Sequence, residues 1–292
     1  MTQNAELENI DYSPISGGLF DRLLTKVGLA QRGPTGVRMR VGALVCATYL
    51  PLLILSAVQG VAYNHALKVP FLFDLENFCR FMLVGPLLIV SEVIVNPWLV
   101  QVVKHTNERL IAEEEQPNYQ GLINAATRWR DSSFAEILLL ISTFAWQWLD
   151  IHTAPLAATT TWHHQPESNA PTYAWFFYAH FAKPLIRFLW LRWLWRYLIW
   201  SLLLLRTASL NLKITAVHPD HHGGLAFIAV GHTRFSVLAF ALGIQAGATL
   251  GEQILFDGKT LMSFKFEIMG ALAIVLILFL TPLLAFTNKL LN

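Results

Sequence analysis

The chain has 292 residues, of which 54% are hydrophobic and 14% are charged. Soluble proteins average about 25% charged residues, so this composition excludes an ordinary soluble domain and predicts a lipid bilayer as the main partner. The net charge of +2 comes from 21 basic and 19 acidic residues and gives no case for nucleic acid as a partner.

Residues 1–40 precede the first long apolar run and form the predicted N-terminal segment. Within this segment, the stretch GLFDRLLTKVGLA carries apolar residues at helical spacing and charged residues elsewhere around the helix axis. The pattern predicts an amphipathic helix that lies at the membrane interface. The apolar run that follows is long enough to span a bilayer and lacks a cleavage site of small residues, so we expect it to remain as a membrane anchor.

Six apolar segments reach the roughly 20 residues that a helix needs to cross the hydrocarbon core. They cover approximately residues 41–63, 79–100, 134–152, 174–205, 227–250 and 268–288. The fourth segment is overlong, so we expect it to tilt, to kink at Pro184 or to extend beyond the bilayer. The sequence therefore predicts an all-α, polytopic helical membrane protein, in which residues 41–292 form a domain of six transmembrane helices.

The basic residues that flank the spans predict the orientation, because lysine and arginine are retained on the cytoplasmic side. Lys68, Lys259 and Lys265 flank one set of span ends, whereas twelve other basic residues flank the opposite set. We therefore expect both termini to be cytoplasmic. The same count makes the 101–133 loop cytoplasmic, and the sequence YQGLINAATRWRDSSFAE in this loop predicts a second helix that leads directly into the third span.

Ionisable residues interrupt four of the predicted spans. They are Glu92, Glu136, Arg192, Arg196 and Arg234. A charge that faces lipid costs at least about 2.5–3.5 kcal/mol, so we predict a buried charge layer in which these side chains face one another. One interpretation is structural, with Glu92 paired to Arg196 or Arg234 to fix helix register. The other is functional, because surplus arginine would line an anion path or hold a lipid phosphate.

The stretch HPDHHGG follows the fourth span and predicts a cytoplasmic loop whose candidate residues are His218, Asp220, Gly223 and Gly224. Pro219 and Asp220 suit a turn that opens the next helix, which is a sufficient structural explanation. A second interpretation is a divalent metal site. Its ligands would be His218, Asp220, His221 and His222. A third interpretation is a phosphate site, or a gate at the inner mouth of the protein. It would be formed by protonatable histidines and by backbone N–H groups that the glycines leave accessible.

A second group of residues that could bind metal lies on the opposite side of the membrane. It comprises Asp150, His152, His163 and His164. Haem between helices would require two histidines at matched depth, for which His152 and His180 form the candidate pair. Histidine pairs are common in loops, so we expect neither metal nor haem here.

The chain resembles a family of bacterial multi-pass inner-membrane proteins of uncharacterised activity that share an HPDxxGGL loop. The stretches VPFLFDLENFCRFMLVGPLLIVSE, RWRDSSFAEILLL, FLWLRWLWRYLIW and HPDHHGGLAF carry the resemblance. The matching positions are Pro70, Phe71, Asp74, Arg80, Pro86, Glu92, Arg130, Ser132, Glu136, Arg192, Trp193, Arg196, His218, Pro219, Asp220, Gly223, Gly224 and Leu225. The resemblance implies a bacterial inner membrane but no activity. His221 and His222 depart from the family pattern, which weakens a four-ligand metal site.

Three functions remain open from the sequence. The leading hypothesis is a channel or transporter for a small ion or solute, with the buried charge layer around its path. The second is a metal-dependent membrane enzyme that uses His218 and Asp220, although no nucleophile motif accompanies them. The third is a non-catalytic membrane scaffold or accessory subunit. Expected partners beyond the bilayer are a small ion, an anionic lipid, a second copy of the chain or another membrane protein.

Overall fold

The computed structural model describes residues 13–29, 33–153, 161–213 and 223–287. Six helices in these ranges are long and apolar enough to cross a membrane. They are α2 (Pro34–Val58), α3 (Leu75–Leu110), α5 (Ser133–Thr153), α6 (Tyr173–Ala208), α7 (Ala226–Asp257) and α8 (Lys265–Leu284). Helices suit a bilayer because their backbone groups bond within the segment. The prediction of an all-α, polytopic membrane protein is confirmed, and the described residues form no β-strand.

Two further helices are too short and too polar to span a bilayer. Helix α1 (Leu19–Lys26) precedes the first span, where the amphipathic pattern predicts a helix. Helix α4 (Gln116–Arg130) lies in the predicted 101–133 loop. It does not lead unbroken into the third span, because Asp131 and Ser132 separate it from α5. Short 3-10 turns complete the described helical structure, at Phe71–Phe73, Glu113–Glu115 and Leu261–Phe264.

Two of the three longest spans contain π-helical turns. Helix α3 contains π-helical turns at Arg80–Val84 and Thr106–Leu110. Helix α6 contains a π-helical turn at Tyr178–Ala182, directly before Lys183 and the proline that follows it. Such turns accommodate an inserted residue and relieve the clash of a proline ring with the preceding turn. The irregularity expected near Pro184 is therefore a π-helical turn.

Helix α6 occupies the centre of the bundle. In its most apolar stretch, 61% of residues are buried, against 6% for α8 at the periphery. Helix α6 contacts α3, α4, α5 and α8. A glycine in α3 allows close packing beside it, because a Cβ on Gly85 would lie 2.8 Å from Leu44 Cδ2 and 2.9 Å from Ile186 Cδ1. Polar side chains on α6 are therefore shielded from lipid by neighbouring helices.

The first span begins earlier than predicted. Helix α2 starts at Pro34, whereas the apolar run predicts a start near residue 41. A proline in the first helical turn and a preceding glycine with a φ of 95° define this start. The shift brings Arg40 into the spanning helix, where its side chain can reach the neighbouring α3.

Candidate functional site

Six ionisable side chains from five helices meet inside the bundle. We call this group the six-charge cluster, and it consists of Asp21 (α1), Arg40 (α2), Glu92 (α3), Glu136 (α5), Arg192 (α6) and Arg196 (α6). The cluster forms six ion pairs, with nitrogen–oxygen distances between 2.6 and 3.5 Å. Four of the five residues predicted for the buried charge layer are brought together here.

Arg192 is the centre of the cluster. Its guanidinium donates to Asp21 Oδ1 at 2.6 Å, to Glu92 Oε1 at 3.1 Å and to Glu136 Oε1 at 3.3 Å. The Arg192 side chain is only 4% exposed. The ring of Phe20 covers it, with 4.8 Å between the guanidinium carbon and the ring centre. One buried cation is thus satisfied by three acids from three different helices, which is what burial of a charge requires.

Glu92 is the matching acceptor for the cations. Its Oε1 accepts from Arg192 and, at 2.9 Å, from Arg196, while its Oε2 accepts from Arg40 at 2.6 Å. Arg196 is also 3.5 Å from the second carboxylate oxygen of Asp21. Asp21, Glu92, Arg192 and Arg196 therefore each have more than one charged partner, whereas Arg40 pairs with Glu92 and Glu136 pairs with Arg192.

Arg234 does not join the cluster, contrary to prediction. Its guanidinium carbon lies 3.9 Å from the ring centre of Trp98, and it forms no ion pair with any residue in the described ranges. The physical reason is local, because α7 opens with a short helix that passes into a 3-10 turn at Thr233–Phe235. That turn directs Arg234 towards Trp98.

The predicted surplus of positive charge is also absent from the cluster. Asp21 and Arg40 belong to the cluster although they are not among the predicted members, and Arg234 lies outside it. The result is three acids and three cations. In this state the cluster is balanced by the protein's own side chains.

The N-terminal segment approaches the cluster through two glycines. The backbone N–H of Phe20 donates to Glu136 Oε2 at 2.8 Å, and Arg192 donates to the carbonyl oxygen of Gly17 at 3.3 Å. Gly18 has a φ of +97°, and a Cβ there would lie 2.3 Å from Glu136 Oε1. The close seat of α1 on the cluster therefore depends on glycine at this position.

Residues ahead of α1 hold the segment against α3 and α4. Ser13 donates to Asn96 Oδ1 at 2.7 Å, and Ile15 N–H donates to the same oxygen at 3.3 Å. Arg130 at the end of α4 donates to the backbone carbonyl of Ser13. The Ile15 side chain is 1% exposed. The segment is thus a folded part of the bundle rather than a helix that only lies on the membrane surface.

Two cavities flank α1 at the cluster, and Phe20 lines both. One has a volume of about 220 Å³ and reaches Arg40, Glu92 and Arg192. The other has a volume of about 260 Å³ and reaches Glu136. Helix α1 therefore separates two spaces that each reach charged members of the cluster.

The candidate loop after the fourth span lies mostly outside the described residues. This applies to all four of the predicted metal ligands, His218, Asp220, His221 and His222. Gly223 and Gly224 are described and form a turn, with φ values of +65° and +88°. Both values lie in the left-handed region that favours glycine. Backbone conformation alone therefore explains why glycine occupies these two positions.

The second predicted group of metal ligands is not assembled into a site. Asp150 accepts from Lys183 at 3.0 Å and from Arg187 at 2.6 Å. His152 and His180 each bond the carbonyl four residues earlier in their own helix. Across the described parts of the chain, no group of three or more histidine, cysteine, aspartate or glutamate residues is arranged to hold a metal ion.

His163 is packed among aromatic side chains and cations. Its ring lies 4.4 Å from that of Trp162 and stacks on Tyr178 at 5.7 Å, measured between ring centres. Burial, together with the nearby His164, Lys183 and Arg80, lowers the pKa of His163 to about 3. The side chain is therefore neutral at ordinary pH.

No known protein family, curated protein or solved structure matches this chain. The resemblance to the inner-membrane family with the HPDxxGGL loop stays a prediction.

Proposed function

We propose that the protein transports small anions across a bacterial inner membrane, with the six-charge cluster as the anion site. The observation that carries this proposal is the position of the Asp21 carboxylate. One of its oxygens lies 2.6 Å from Arg192, and the other lies 3.5 Å from Arg196. A free carboxylate or phosphate would bind two arginines in the same way. Asp21 thus acts as a tethered anion that fills the site in the closed state.

The charge count supports exchange of Asp21 for a free anion. If α1 withdraws, Arg40, Arg192 and Arg196 remain with only Glu92 and Glu136. One positive charge is then unpaired inside the bundle, where a lone charge is strongly unfavourable. An incoming anion of single charge restores the balance. The cluster therefore favours anions over cations as the transported species.

Helix α1 is suited to act as the mobile element that blocks the anion site. It has only eight residues, so little helix structure must be disrupted for it to move. The cavities on its two sides have volumes of about 220 and 260 Å³. Withdrawal of Phe20 would join them around the arginines. If the basic flanking residues orient the chain as predicted, this opening faces the cytoplasm.

Anion flux into vesicles that contain the purified protein tests the proposal. Asp21→Asn should raise chloride, acetate and phosphate flux severalfold above the parent, because the amide cannot neutralise the arginines. Lys26→Gln is the matched control, since Lys26 is an exposed residue of the same helix, and it should leave the flux unchanged. Potassium flux should stay at background in all three proteins.

A structural role is the second candidate, because the three acids and three cations already balance. In that case the cluster fixes helix register in a scaffold or accessory subunit. Vesicles with the parent and with Asp21→Asn would then both show the flux of protein-free vesicles. That result would remove the transport proposal and leave the structural one.

A further inference from the structure

A groove of about 520 Å³ lies along α6 from Lys183 to Tyr197. Trp193 lines both this groove and the cavity that reaches Arg192. Helices α6, α7 and α8 form most of its wall, and α3 and α5 contribute at one end. That end is charged, and we call it the charged end of the groove. Its cations are Arg80, Lys183 and Arg187, and its directly paired acids are Glu76 and Asp150. Asp74 lies near Arg80 without a direct ion pair.

At Lys183 and Arg187, the charged end has two cations for one directly paired carboxylate. Lys183 and Arg187 share the single carboxylate of Asp150, while Arg80 pairs with Glu76. The Lys183 side chain is 24% exposed. An ammonium group has three hydrogen-bond donors, and that of Lys183 uses one of them, on Asp150, within the described parts of the chain. The charged end can therefore accept a further negative group.

The rest of the groove is apolar and elongated. From Lys183 to Tyr197 the lining follows α6 for fourteen residues, or about 21 Å at 1.5 Å per residue. The opposite wall includes Leu238 and Leu242 of α7 and Phe279 of α8. One leaflet of the hydrocarbon core is about 15 Å thick. A chain of methylene groups that starts at the charged end could therefore lie along this wall for its full length.

We propose that this groove binds an anionic phospholipid of the surrounding bilayer. Its phosphate lies beside Lys183 and Arg187, and one acyl chain follows the apolar wall towards Tyr197. Basic pockets between membrane helices recognise anionic headgroups in this way. Trp146 stacks on Arg187, with 4.5 Å between the guanidinium carbon and the ring centre, and Trp residues favour the headgroup level. A compact hydrophilic solute would leave the apolar wall unused.

Lipid retention by the purified full-length protein tests the proposal. The protein is extracted from vesicles of equal parts phosphatidylglycerol and phosphatidylcholine, and bound lipid is counted by native mass spectrometry. The parent should retain phosphatidylglycerol in preference to phosphatidylcholine. Lys183→Gln should reduce this preference about fivefold, the effect of one basic residue near an anionic lipid surface. Arg187 still neutralises Asp150 in this variant, so folding should be maintained.

A second pair of variants tests the apolar wall without changing any charge. Ala239→Trp should fill the groove from α7 and abolish retention, since Ala239 lines it. Ala273→Trp is the matched control, because Ala273 is exposed on α8 and does not line the groove. It should retain lipid like the parent. If Ala239→Trp fails to fold, Leu194→Trp fills the same groove from α6.

Two outcomes would overturn the proposal. One is equal retention of phosphatidylglycerol and phosphatidylcholine by the parent, which would remove the headgroup site. The other is undiminished retention of phosphatidylglycerol in a folded groove-filling variant, which would place the lipid elsewhere. Neither outcome affects the anion site at Arg192, because the groove experiment measures lipid and not flux.

Discussion

The six-charge cluster holds three acids against three cations, whereas Lys183 and Arg187 at the charged end of the groove share one directly paired carboxylate, that of Asp150. The difference in charge balance reflects how exposed the cations of the two sites are. Arg192 is 4% exposed and covered by α1, so the protein itself must neutralise it. Lys183 is 24% exposed at the mouth of an open groove. There, a lipid headgroup can supply the missing negative charge.

The largest effect should come from breaking the balanced cluster. Arg192→Leu removes one cation and leaves Asp21 and Glu136 without their central partner, and loss of one member of a buried ion pair costs about 3–5 kcal/mol. The free energy of unfolding in detergent micelles should fall by that amount. Arg206→Leu is the control on the same helix, since Arg206 is exposed, and its cost should stay within about 0.5 kcal/mol.

An equal cost for Arg192→Leu and Arg206→Leu would contradict this expectation. It would mean that the cluster is hydrated and that its charges do not depend on one another for neutralisation.

A smaller effect should follow from dislodging α1 without changing any charge. Gly18→Ala places a methyl group against Glu136 and forces a positive φ on alanine, a backbone strain of about 1–3 kcal/mol. Gly28→Ala is the matched control, because Gly28 has a φ of +79° but open space around the added carbon. Anion flux into vesicles should rise for Gly18→Ala and stay at the parent value for Gly28→Ala. A rise in both variants would trace the effect to helix strain rather than to the seat of α1.

A pH-dependent effect concerns His163, which lies beside the charged end of the groove. Its pKa is about 3 in the folded protein and about 6.5 in an unfolded chain. Between these values the unfolded state binds a proton that the folded state does not, so the free energy of unfolding falls as pH decreases. His163→Phe keeps the stacking on Tyr178 and removes this contribution.

The measurement for His163 is the melting temperature between pH of about 7.5 and about 4.5. The parent and the control His65→Phe, at an exposed position, should lose more stability on acidification than His163→Phe. Parallel curves for all three proteins would show that His163 binds its proton as readily in the folded state.

The six spans could be predicted from the sequence because length and hydropathy determine them almost alone. Pairing among Glu92, Arg192 and Arg196 could also be anticipated, since charges at similar depth must avoid lipid. The ends of the helices were less predictable. Arg40 was missed because α2 begins at Pro34, before the run becomes strongly apolar.

Asp21 was missed for a different reason. The amphipathic pattern of α1 predicts a membrane-surface helix whose charges face water. In the structure its aspartate points into the bundle instead. The signal that could have found it is the pair Gly17-Gly18 directly before the helix, which permits a close approach. The groove left no comparable signal, because its wall is assembled from three helices that are distant in sequence.

Acetate rescue of Asp21→Ala is a direct test of the proposal that the Asp21 carboxylate fills a site for free anions. Removal of the side chain should lower the melting temperature, and acetate should restore it in proportion to its occupancy of the vacated site. Acetate should have no such effect on the parent or on Lys26→Ala, which report the general effect of salt. If acetate shifts all three melting temperatures equally, Arg192 and Arg196 do not form an anion site.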